Sequence, residues 1–261
     1  MILHHFKSTA LLCAASLLAA VVSGPALAAS INYGNVAGTN IVYQQVTESS
    51  LSALPLYGAP TVTGDSLQFT PQSFEAQSST GAIDFVDGTL NTQIVANPNR
   101  GITTITLAEQ GDYSLFGTGA YATISAPVFL RIDAVNGVPL ITPITTNANI
   151  VFTSGAGGPG AYATPADQGL GKIWTGNLSV DINAVLAANN LAGAYATSIH
   201  WTMDNALTAY APNGGISFIK KKDIGGVALT VVTSNIPEPS TFALLALGGS
   251  ALFVLRRRNR A

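Results

Sequence analysis

The stretch Val128-Phe129-Leu130-Arg131-Ile132-Asp133 decides the fold class of this 261-residue chain. In an extended strand its apolar residues at positions 128, 130 and 132 face one side, while Arg131 and Asp133 face the other. The stretch Ile102-Thr103-Thr104-Ile105-Thr106-Leu107 alternates in a similar way. A two-residue apolar repeat is typical of a strand with one buried face, so both stretches predict half-buried β-strands.

Two dipeptides predict tight turns between such strands. Asn136-Gly137 follows the first stretch, and Asp87-Gly88 separates strands predicted at 82–86 and 89–95. Both dipeptides readily adopt the left-handed backbone conformation that a two-residue hairpin needs. Further strands are predicted at Asn40 to Thr47, Ser66 to Thr70, Asp112 to Phe116, Ala120 to Ser125, Asn149 to Thr153, Ala194 to Met203, Ile216 to Lys220 and Val227 to Thr233.

Short, numerous strands separated by turn residues favour an all-β, antiparallel sandwich or jelly roll over a parallel α/β sheet. One short helix is expected from Asp181 to Leu191, because Asp181 is a good N-cap and Gly193 a good stop. Six glycines between Ser154 and Gly171 predict a long flexible loop. That loop has no Gly-Lys-Ser/Thr element, so a phosphate-binding turn is not expected there.

The C-terminal end has a different composition. Pro237-Glu238-Pro239 precedes an uncharged run from Thr241 to Leu255, and Arg256, Arg257 and Arg258 follow it. As a helix this run would nearly span the ~30 Å hydrocarbon core of a bilayer. Arginines are costly to move through a bilayer, so they would hold the C-terminus in the cytoplasm. The sequence thus predicts a short transmembrane helix with the preceding residues outside.

This order of triplet, apolar run and arginine cluster resembles the PEP-CTERM sorting signal of Gram-negative bacteria. The resemblance covers about a tenth of the chain, residues 236–261. It implies that a membrane protease-transpeptidase, exosortase, cuts near Pro237, Glu238 and Pro239. It also implies an association with exopolysaccharide, flocs or biofilm matrix. The alternative is an ordinary C-terminal membrane anchor.

The N-terminus predicts export. Lys7 gives a weakly basic start, residues 10–22 form a short apolar core, and Ala26 and Ala28 are small residues at the positions a signal peptidase reads. We therefore expect a signal peptide at 1–28, an exported sandwich domain at 29–235 and the sorting signal at 236–261. The protein would be held transiently in the inner membrane and then reach the cell surface or the medium.

The charge of the exported part excludes one class of partner. Between residues 29 and 236 there are six Lys and Arg and 12 Asp and Glu, so 6 − 12 gives a formal charge of −6. Nucleic acid and anionic lipid would be repelled over most of such a surface. The only cysteine, Cys13, lies in the signal peptide, so the exported part forms no disulfide.

Residues that could carry catalysis are scarce. His200 is the only histidine after the signal peptide, and strand alternation places it on the face opposite Ile199 and Trp201, towards solvent. No Gly-x-Ser-x-Gly elbow accompanies it. One histidine and no cysteine make a zinc or copper site improbable. We expect no catalytic residue, no metal site and no cofactor, and therefore not an enzyme.

Two carboxylate pairs could supply oxygen ligands for structural calcium. Asp84 and Asp87 flank the predicted Asp-Gly turn, and Glu109 and Asp112 bracket Gln110-Gly111. Neither pair has the dense spacing of a dedicated calcium loop. We interpret them as turn-forming residues. A glycosidase acid and base also needs two carboxyls, but 12 carboxylates make some such pair unavoidable.

Aromatic and basic residues suggest a glycan contact. Trp174 and Tyr210 lie near loop or turn residues and are expected to be exposed, whereas Trp201 is expected in the core. Lys220, Lys221 and Lys222 form a basic cluster that either protects a sheet edge or contacts an acidic polysaccharide. The leading hypothesis is an adhesive or structural matrix protein. A glycan-binding module is the alternative, and a secreted glycan-active enzyme is the third.

Overall fold

The computed structural model describes residues 29–51, 54–222 and 226–236. Within these ranges the chain forms 18 strands and one helix. The signal peptide and the sorting helix predicted above lie outside the described residues. No helix in the described ranges is long and apolar enough to cross a membrane. The strands are β1 Ala29–Ala37, β2 Ile41–Ser50, β3 Thr61–Thr63, β4 Ser66–Phe69, β5 Glu75–Ser78, β6 Ile83–Ala96, β7 Arg100–Phe116, β8 Tyr121–Ser125, β9 Pro127–Val135, β10 Val138–Asn149, β11 Val151–Phe152, β12 Ser154–Gly155, β13 Gly158–Pro159, β14 Ala161–Ala163, β15 Gly169–Asp181, β16 Ala196–Tyr210, β17 Ile216–Lys221 and β18 Val227–Asn235, and the helix is α1 Ile182–Ala188.

One layer is built around the long strand β16. Its neighbour on one side is β6, which pairs with it along its whole length, and β2 and β1 continue the sheet beyond β6. On the other side β16 pairs first with β9 and then with β8. The outer strand β10 pairs with β9. Every one of these pairs is antiparallel, as the sequence predicts.

The second layer is built around β7. On one side it pairs with β15, and on the other with β18 and then β17. Strand β4 pairs with β18, and β5 pairs with β17. Strand β3 pairs with β4. A single bridge, Ala196 to Ile102, joins β16 to β7, so the two layers form one continuous curled sheet. The predicted all-β, sandwich-like fold is confirmed.

The core lies between the layers, because alternate residues of each long strand point inward. Ile199, Trp201 and Met203 of β16 are fully buried, as are Ile105 of β7 and Leu229 of β18. Burying one such side chain stabilises the fold by about 1.5–3 kcal/mol. The prediction that Trp201 belongs to the core is confirmed.

The Asn136-Gly137 turn is confirmed. It joins β9 to β10, and both residues have positive φ, 51° for Asn136 and 78° for Gly137. This conformation gives the backbone the twist that two adjacent antiparallel strands require. The Asn136 side chain also accepts a hydrogen bond from the amide of Tyr195, 2.9 Å away, which fixes the turn against the start of β16.

The predicted turn at Asp87-Gly88 is wrong. Strand β6 runs without interruption through both residues, and Asn205 of β16 pairs with Gly88. Close packing requires a glycine at position 88, because a Cβ on it would lie 2.9 Å from Leu56 and 3.2 Å from the ring of Phe74. Two loop residues, Leu56 between β2 and β3 and Phe74 between β4 and β5, therefore pack onto the strand where a side chain would otherwise lie.

The helix is confirmed, although it is shorter than predicted. It ends at Ala188 rather than Leu191, and Asp181 caps it by accepting a hydrogen bond from the amide of Ala184 at 3.1 Å. Ile182 and Leu186 are its buried residues, and the helix packs against β7 and β16. Asn190, at φ 61°, turns the chain before Gly193 does.

The prediction of a flexible loop from Ser154 to Gly171 is wrong. Its first half folds into the short strands β12, β13 and β14, and the last of these pairs with β8. Asp167 accepts hydrogen bonds from the amides of Ala156 and Ala163, at 2.7 and 2.9 Å. Tyr162 stacks on Tyr113 with 4.1 Å between ring centroids. Glycine content here reflects tight packing and positive φ.

Candidate functional site

A buried charged pair lies between the two layers. The Nζ atom of Lys221, at the end of β17, lies 2.7 Å from Oε2 of Glu109 on β7. Both side chains have no exposure to solvent. Removing an ion from water costs several kcal/mol, so such a pair needs good geometry and further partners. These two residues are therefore the most unusual chemical feature of the described body.

A third polar residue, from the opposite layer, completes this centre. Asn205 of β16 donates a hydrogen bond from Nδ2 to Oε1 of Glu109 at 2.7 Å. Each oxygen of the Glu109 carboxylate thus binds one nitrogen, Nζ of Lys221 or Nδ2 of Asn205. The Asn205 Oδ1 atom is buried and has no hydrogen-bond partner. We call Glu109, Asn205 and Lys221 the buried triad.

Strand register explains how the triad is assembled. Leu107, Glu109 and Gly111 of β7 all point inward, and the cross-strand neighbours of Gly111 are Trp174 of β15 and Lys221 of β17. A Cβ at Gly111 would overlap the indole of Trp174. The missing side chain at Gly111 therefore makes room for the large side chains on both sides of it.

Aromatic rings enclose the ammonium group. Nζ of Lys221 lies 5.3 Å from the ring centroid of Phe74 and 5.5 Å from that of Trp174. Tyr57 packs edge-on against Phe74, with 5.2 Å between centroids. A cation within about 6 Å of an aromatic face is attracted by the ring quadrupole. The rings also separate the triad from bulk water.

The electrostatics of the triad follow from this burial. Burial lowers the pKa of Lys221, and the nearby Glu109 carboxylate opposes that change only in part. Burial and, secondarily, Glu109 raise the pKa of the Tyr57 hydroxyl well above its usual value. Tyr57 therefore stays protonated and donates to the carbonyl of Gly88 at 2.8 Å. The site holds an amine close to a proton acceptor in a dry environment.

Two of the predicted glycan-contact residues belong to this core and not to the surface. Trp174 is fully buried, and Lys221 is buried in the ion pair, so predictions of their exposure are wrong. The reason is strand parity, since Ile219 points inward and Lys221 follows it by two residues. Lys220 and Lys222 remain half-exposed on either side of it. The compact basic cluster is therefore split between surface and core.

Tyr210 is the predicted contact residue that lies within an exposed aromatic patch. It is half-exposed on the outer face of the first layer and stacks on Tyr121 with 5.2 Å between centroids and 30° between ring planes. Ile83 pairs with Tyr210 across the strands and is 61% exposed, and Phe85 on the same face is 54% exposed. We call Ile83, Phe85, Tyr121 and Tyr210 the outer aromatic patch.

The interpretation of the carboxylate pairs as turn-forming residues is wrong. Asp84 and Asp87 lie within β6, and Glu109 and Asp112 lie within β7. Each pair is three residues apart on a strand, so its members point to opposite faces and cannot converge on one ligand. Among the described residues, no group of three or more metal-ligating side chains clusters together.

His200 lies where the alternation predicts. Its strand neighbours Ile199 and Trp201 are fully buried, while His200 is half-exposed on the outer face opposite Arg131. Partial burial and, secondarily, the Arg131 charge lower the pKa of His200, and Asp133 opposes this. The same face carries an exposed ion pair, Arg131 Nε to Asp133 Oδ1, at 2.7 Å.

The body continues to the point where the predicted sorting signal begins. Strand β18 ends at Asn235, and the amide of Ile236 donates to the carbonyl of Asn99 at 3.0 Å. A cleft of about 620 Å³, lined in part by Arg100 and Tyr195, lies beside Ile236. The predicted processing residues lie outside the described residues: Ala26, Ala28, Pro237, Glu238, Pro239, Arg256, Arg257 and Arg258.

Comparison with known proteins identifies the tail. The PEP-CTERM protein-sorting motif matches residues 235–258, which confirms the resemblance noted in the sequence. The motif marks an exported protein that exosortase sorts to the cell envelope or surface. Among curated proteins, none matches the chain.

Solved structures resemble the body only faintly. The enzymatically active domain of tailspike protein 4 from bacteriophage CBA120 has a TM-score of 0.18 at 12% identity, over 61% of this chain and 20% of that one. A family 12 glycoside hydrolase has a TM-score of 0.19 at 12% identity. The match covers 78% of this chain and 99% of the hydrolase chain. The VP2 subviral particle of infectious bursal disease virus has a TM-score of 0.15 at 12% identity. The match covers 84% of this chain and 58% of the VP2 chain. Similarity this weak defines no shared activity.

Proposed function

We propose that this chain, whose PEP-CTERM motif makes it an exosortase-sorted exported protein, is a structural or adhesive component of the cell surface or extracellular matrix. In this role it would associate with exopolysaccharide in a biofilm or floc. The observation that carries the proposal is the match to the sorting motif, which starts at residue 235, the residue where the last strand of the body ends. In this proposal the body and the sorting signal follow one another in the sequence as two units.

The arrangement at this junction suits proteolytic processing. Pro237 and Pro239 carry no amide hydrogen and restrict the residues before them to extended conformations. Prolines at these two positions of the sequence would favour a protease that binds its substrates as extended chains. Cutting there would release residues 29–236 with the whole described body intact. Signal peptidase would make the other cut, after Ala28, and the inner membrane would hold the chain only between the two cuts.

Several observations support a non-enzymatic role as part of the same proposal. The two members of each pair, Asp84/Asp87 and Glu109/Asp112, point to opposite faces of their strand. His200 lies beside Arg131 on an open face. Glycosidases need two carboxyls that converge about 5–10 Å apart on one bond. The formal charge of −6 would keep the protein soluble between anionic surfaces but would give no general attraction to them.

Localisation of variants tests the proposal. We expect the wild-type protein at the surface or in the medium without its tail. Replacing Pro237, Glu238 and Pro239 by alanine, or the three arginines 256–258 by glutamine, should leave the protein in the membrane fraction with its tail attached. The matched control Arg131→Gln removes a charge from the folded body and should be sorted normally. Normal release of the triplet variant would refute processing at this site, and unchanged biofilm or floc mass in a deletion strain would refute the matrix role.

A glycan-binding module is the second candidate, and the outer aromatic patch supports it. Stacked, half-exposed tyrosines on a strand face offer the flat apolar surface on which sugar rings stack. Tyr121→Ala with Tyr210→Ala should weaken retention of the purified protein on the producer's exopolysaccharide at least tenfold. Phe129→Ala, on the same outer face but away from the patch, serves as the control and should bind normally. Equal retention of both variants would remove this candidate.

A further inference from the structure

We propose that Lys221 and Asn205 become joined by an intramolecular isopeptide bond between Nζ and Cγ, formed with loss of ammonia, and that Glu109 transfers the protons. The bond would be a covalent link between the two layers of the sandwich, because Asn205 belongs to β16 and Lys221 to β17, which pairs with β7. It concerns the folded body alone and does not depend on where the protein is sorted.

The geometry brings the reacting groups to one carboxylate. Lys221 Nζ and Asn205 Nδ2 lie 2.7 Å from Oε2 and Oε1 of Glu109, respectively. Amine and amide are therefore bound to the two oxygens of one proton acceptor. Positioning of this kind converts a reaction between separate molecules into a unimolecular one and can lower its barrier by several kcal/mol.

The surroundings favour the amine as a nucleophile. A lysine attacks a carbonyl only after it loses its proton, and removal from water disfavours the ammonium form. All three side chains of the triad are fully or almost fully buried, between the rings of Phe74 and Trp174. These rings keep out bulk water, so the competing hydrolysis of the amide is suppressed. Glu109 lies in hydrogen-bond contact with both the group that loses protons and the group that must gain one.

The reaction balances within the triad. Glu109 takes one proton from the Lys221 ammonium, and the Nζ lone pair then forms a bond to Asn205 Cγ while the carbonyl electron pair moves to Oδ1. A second Nζ proton passes through Glu109 to Nδ2. When the carbonyl re-forms, the Cγ–Nδ2 bond breaks and its electron pair leaves with ammonia. The first proton stays on Glu109, which ends as a neutral carboxylic acid, so one neutral ammonia leaves and no group is oxidised or reduced.

Condensation would also remove one unfavourable feature of the unreacted core. A buried ammonium has lost its hydration, which costs several kcal/mol. The unreacted triad holds such a group in Lys221. The product replaces the ammonium and the primary amide by one neutral secondary amide, which keeps the carbonyl oxygen of Asn205. Because ammonia diffuses away, the link would be permanent and would resist shear and proteolysis outside the cell.

Peptide mass spectrometry of the full chain tests the bond. The chain is expressed with its own signal peptide in a Gram-negative host, denatured and digested with trypsin. No Lys or Arg lies between Lys172 and Lys220, so Asn205 is released within the peptide 173–220. We expect this peptide to remain joined to Lys221, at a mass about 17 Da below the sum of its parts, the mass of one ammonia. Trypsin should not cut after Lys221, since its amine is acylated.

Variants assign the roles within the triad. Glu109→Gln keeps the shape of the side chain but cannot accept a proton, so the cross-linked peptide should be absent. The matched control Lys220→Arg changes the adjacent, half-exposed lysine, and its cross-link should form as in the wild type. A wild-type digest in which Lys221 is cleaved normally and the peptide 173–220 has its full mass would overturn the proposal, whatever the variants do. A cross-link that persists in Glu109→Gln would overturn the role of Glu109.

Discussion

Two ion pairs in this protein have the same length and very different surroundings. Lys221–Glu109 and Arg131–Asp133 both have 2.7 Å between nitrogen and oxygen. The first pair has no solvent exposure, whereas the side chains of the second are 45% and 19% exposed. Distance alone therefore says little about what an ion pair does. Burial decides whether loss of one partner leaves an uncompensated charge or merely a hydrated one.

The largest difference between the two pairs should appear when the buried carboxylate is neutralised. Glu109→Gln would block the proposed bond and would leave the Lys221 ammonium without a counter-charge in the core, so it should destabilise the protein by at least about 3–5 kcal/mol. Chemical denaturation of the processed protein measures this. Glu75→Gln, at an exposed position on β5, is the matched control and should change the free energy of unfolding by less than about 0.5 kcal/mol. Equal losses of stability in both variants would show that burial does not decide the effect of neutralising a carboxylate.

Filling the space beside the buried pair should have the next largest effect. Gly111→Ala places a methyl group where the indole of Trp174 and the carbonyl oxygen of Lys220 now lie. Overpacking of a core costs about 1–3 kcal/mol, and the shifted Trp174 should also move Lys221 away from Glu109. Thermal unfolding and the tryptophan fluorescence spectrum report the two effects.

The control for that substitution is Gly64→Ala. Gly64 has a positive φ of 62° but no atom within 4 Å of a built Cβ, so only backbone strain is added. This variant should lose about 1 kcal/mol, without any change in the fluorescence of Trp174. A spectrum changed equally by both substitutions would show that Gly111 has no special role in positioning the indole.

Disrupting the exposed pair should have a small effect. Asp133→Asn removes the carboxylate that binds Arg131 on the outer face, and we expect a loss of about 0.2–1 kcal/mol that shrinks further in high salt. Denaturant titrations at two salt concentrations measure it. A loss as large as that of Glu109→Gln would show that partial exposure does not weaken this pair.

The smallest effect should be on the pH dependence of stability, through His200 beside the exposed pair. His200 has a lowered pKa in the folded state, so the unfolded chain binds its proton more readily as the pH falls below 6.5. His200 therefore contributes stability at pH values above its pKa in the unfolded chain. This stability is lost as the pH falls through the lower pKa of His200 in the folded protein. His200→Gln should flatten the acid side of the stability curve slightly. An unchanged curve would show that its partial burial has no energetic consequence.

The sequence predicted the class of the fold because the determinants of that class are local. Alternation in residues 128–133 and the Asn136-Gly137 turn each follow from a few neighbouring residues. Asp87-Gly88 shows the limit of such reasoning, since the dipeptide suits a turn equally well. Only the packing of Leu56 and Phe74, remote in sequence, requires a glycine inside a strand there.

The buried triad could be predicted only in part. Side chains two residues apart on a strand face the same side. Lys221 therefore faces inward with Ile219, and Glu109 faces inward with Leu107. The pattern Lys220-Lys221-Lys222 concealed this, because a run of lysines is usually a solvated edge. No local signal indicates that Asn205 of one layer meets Glu109 of the other, since that contact depends on how two sheets stack. The sorting tail, by contrast, is a linear signal and could be recognised directly.

Delivery of a folded β body to the outside by a removable tail can be tested by mapping both ends of the native protein. The protein recovered from the cell surface or the medium is digested, and its terminal peptides are identified by mass spectrometry. We predict an N-terminus at Ala29 and a C-terminus at or near residues 237–239, without the arginines 256–258. Recovery of the chain only inside the cell, with residues 1–28 and the arginine cluster still attached, would contradict this.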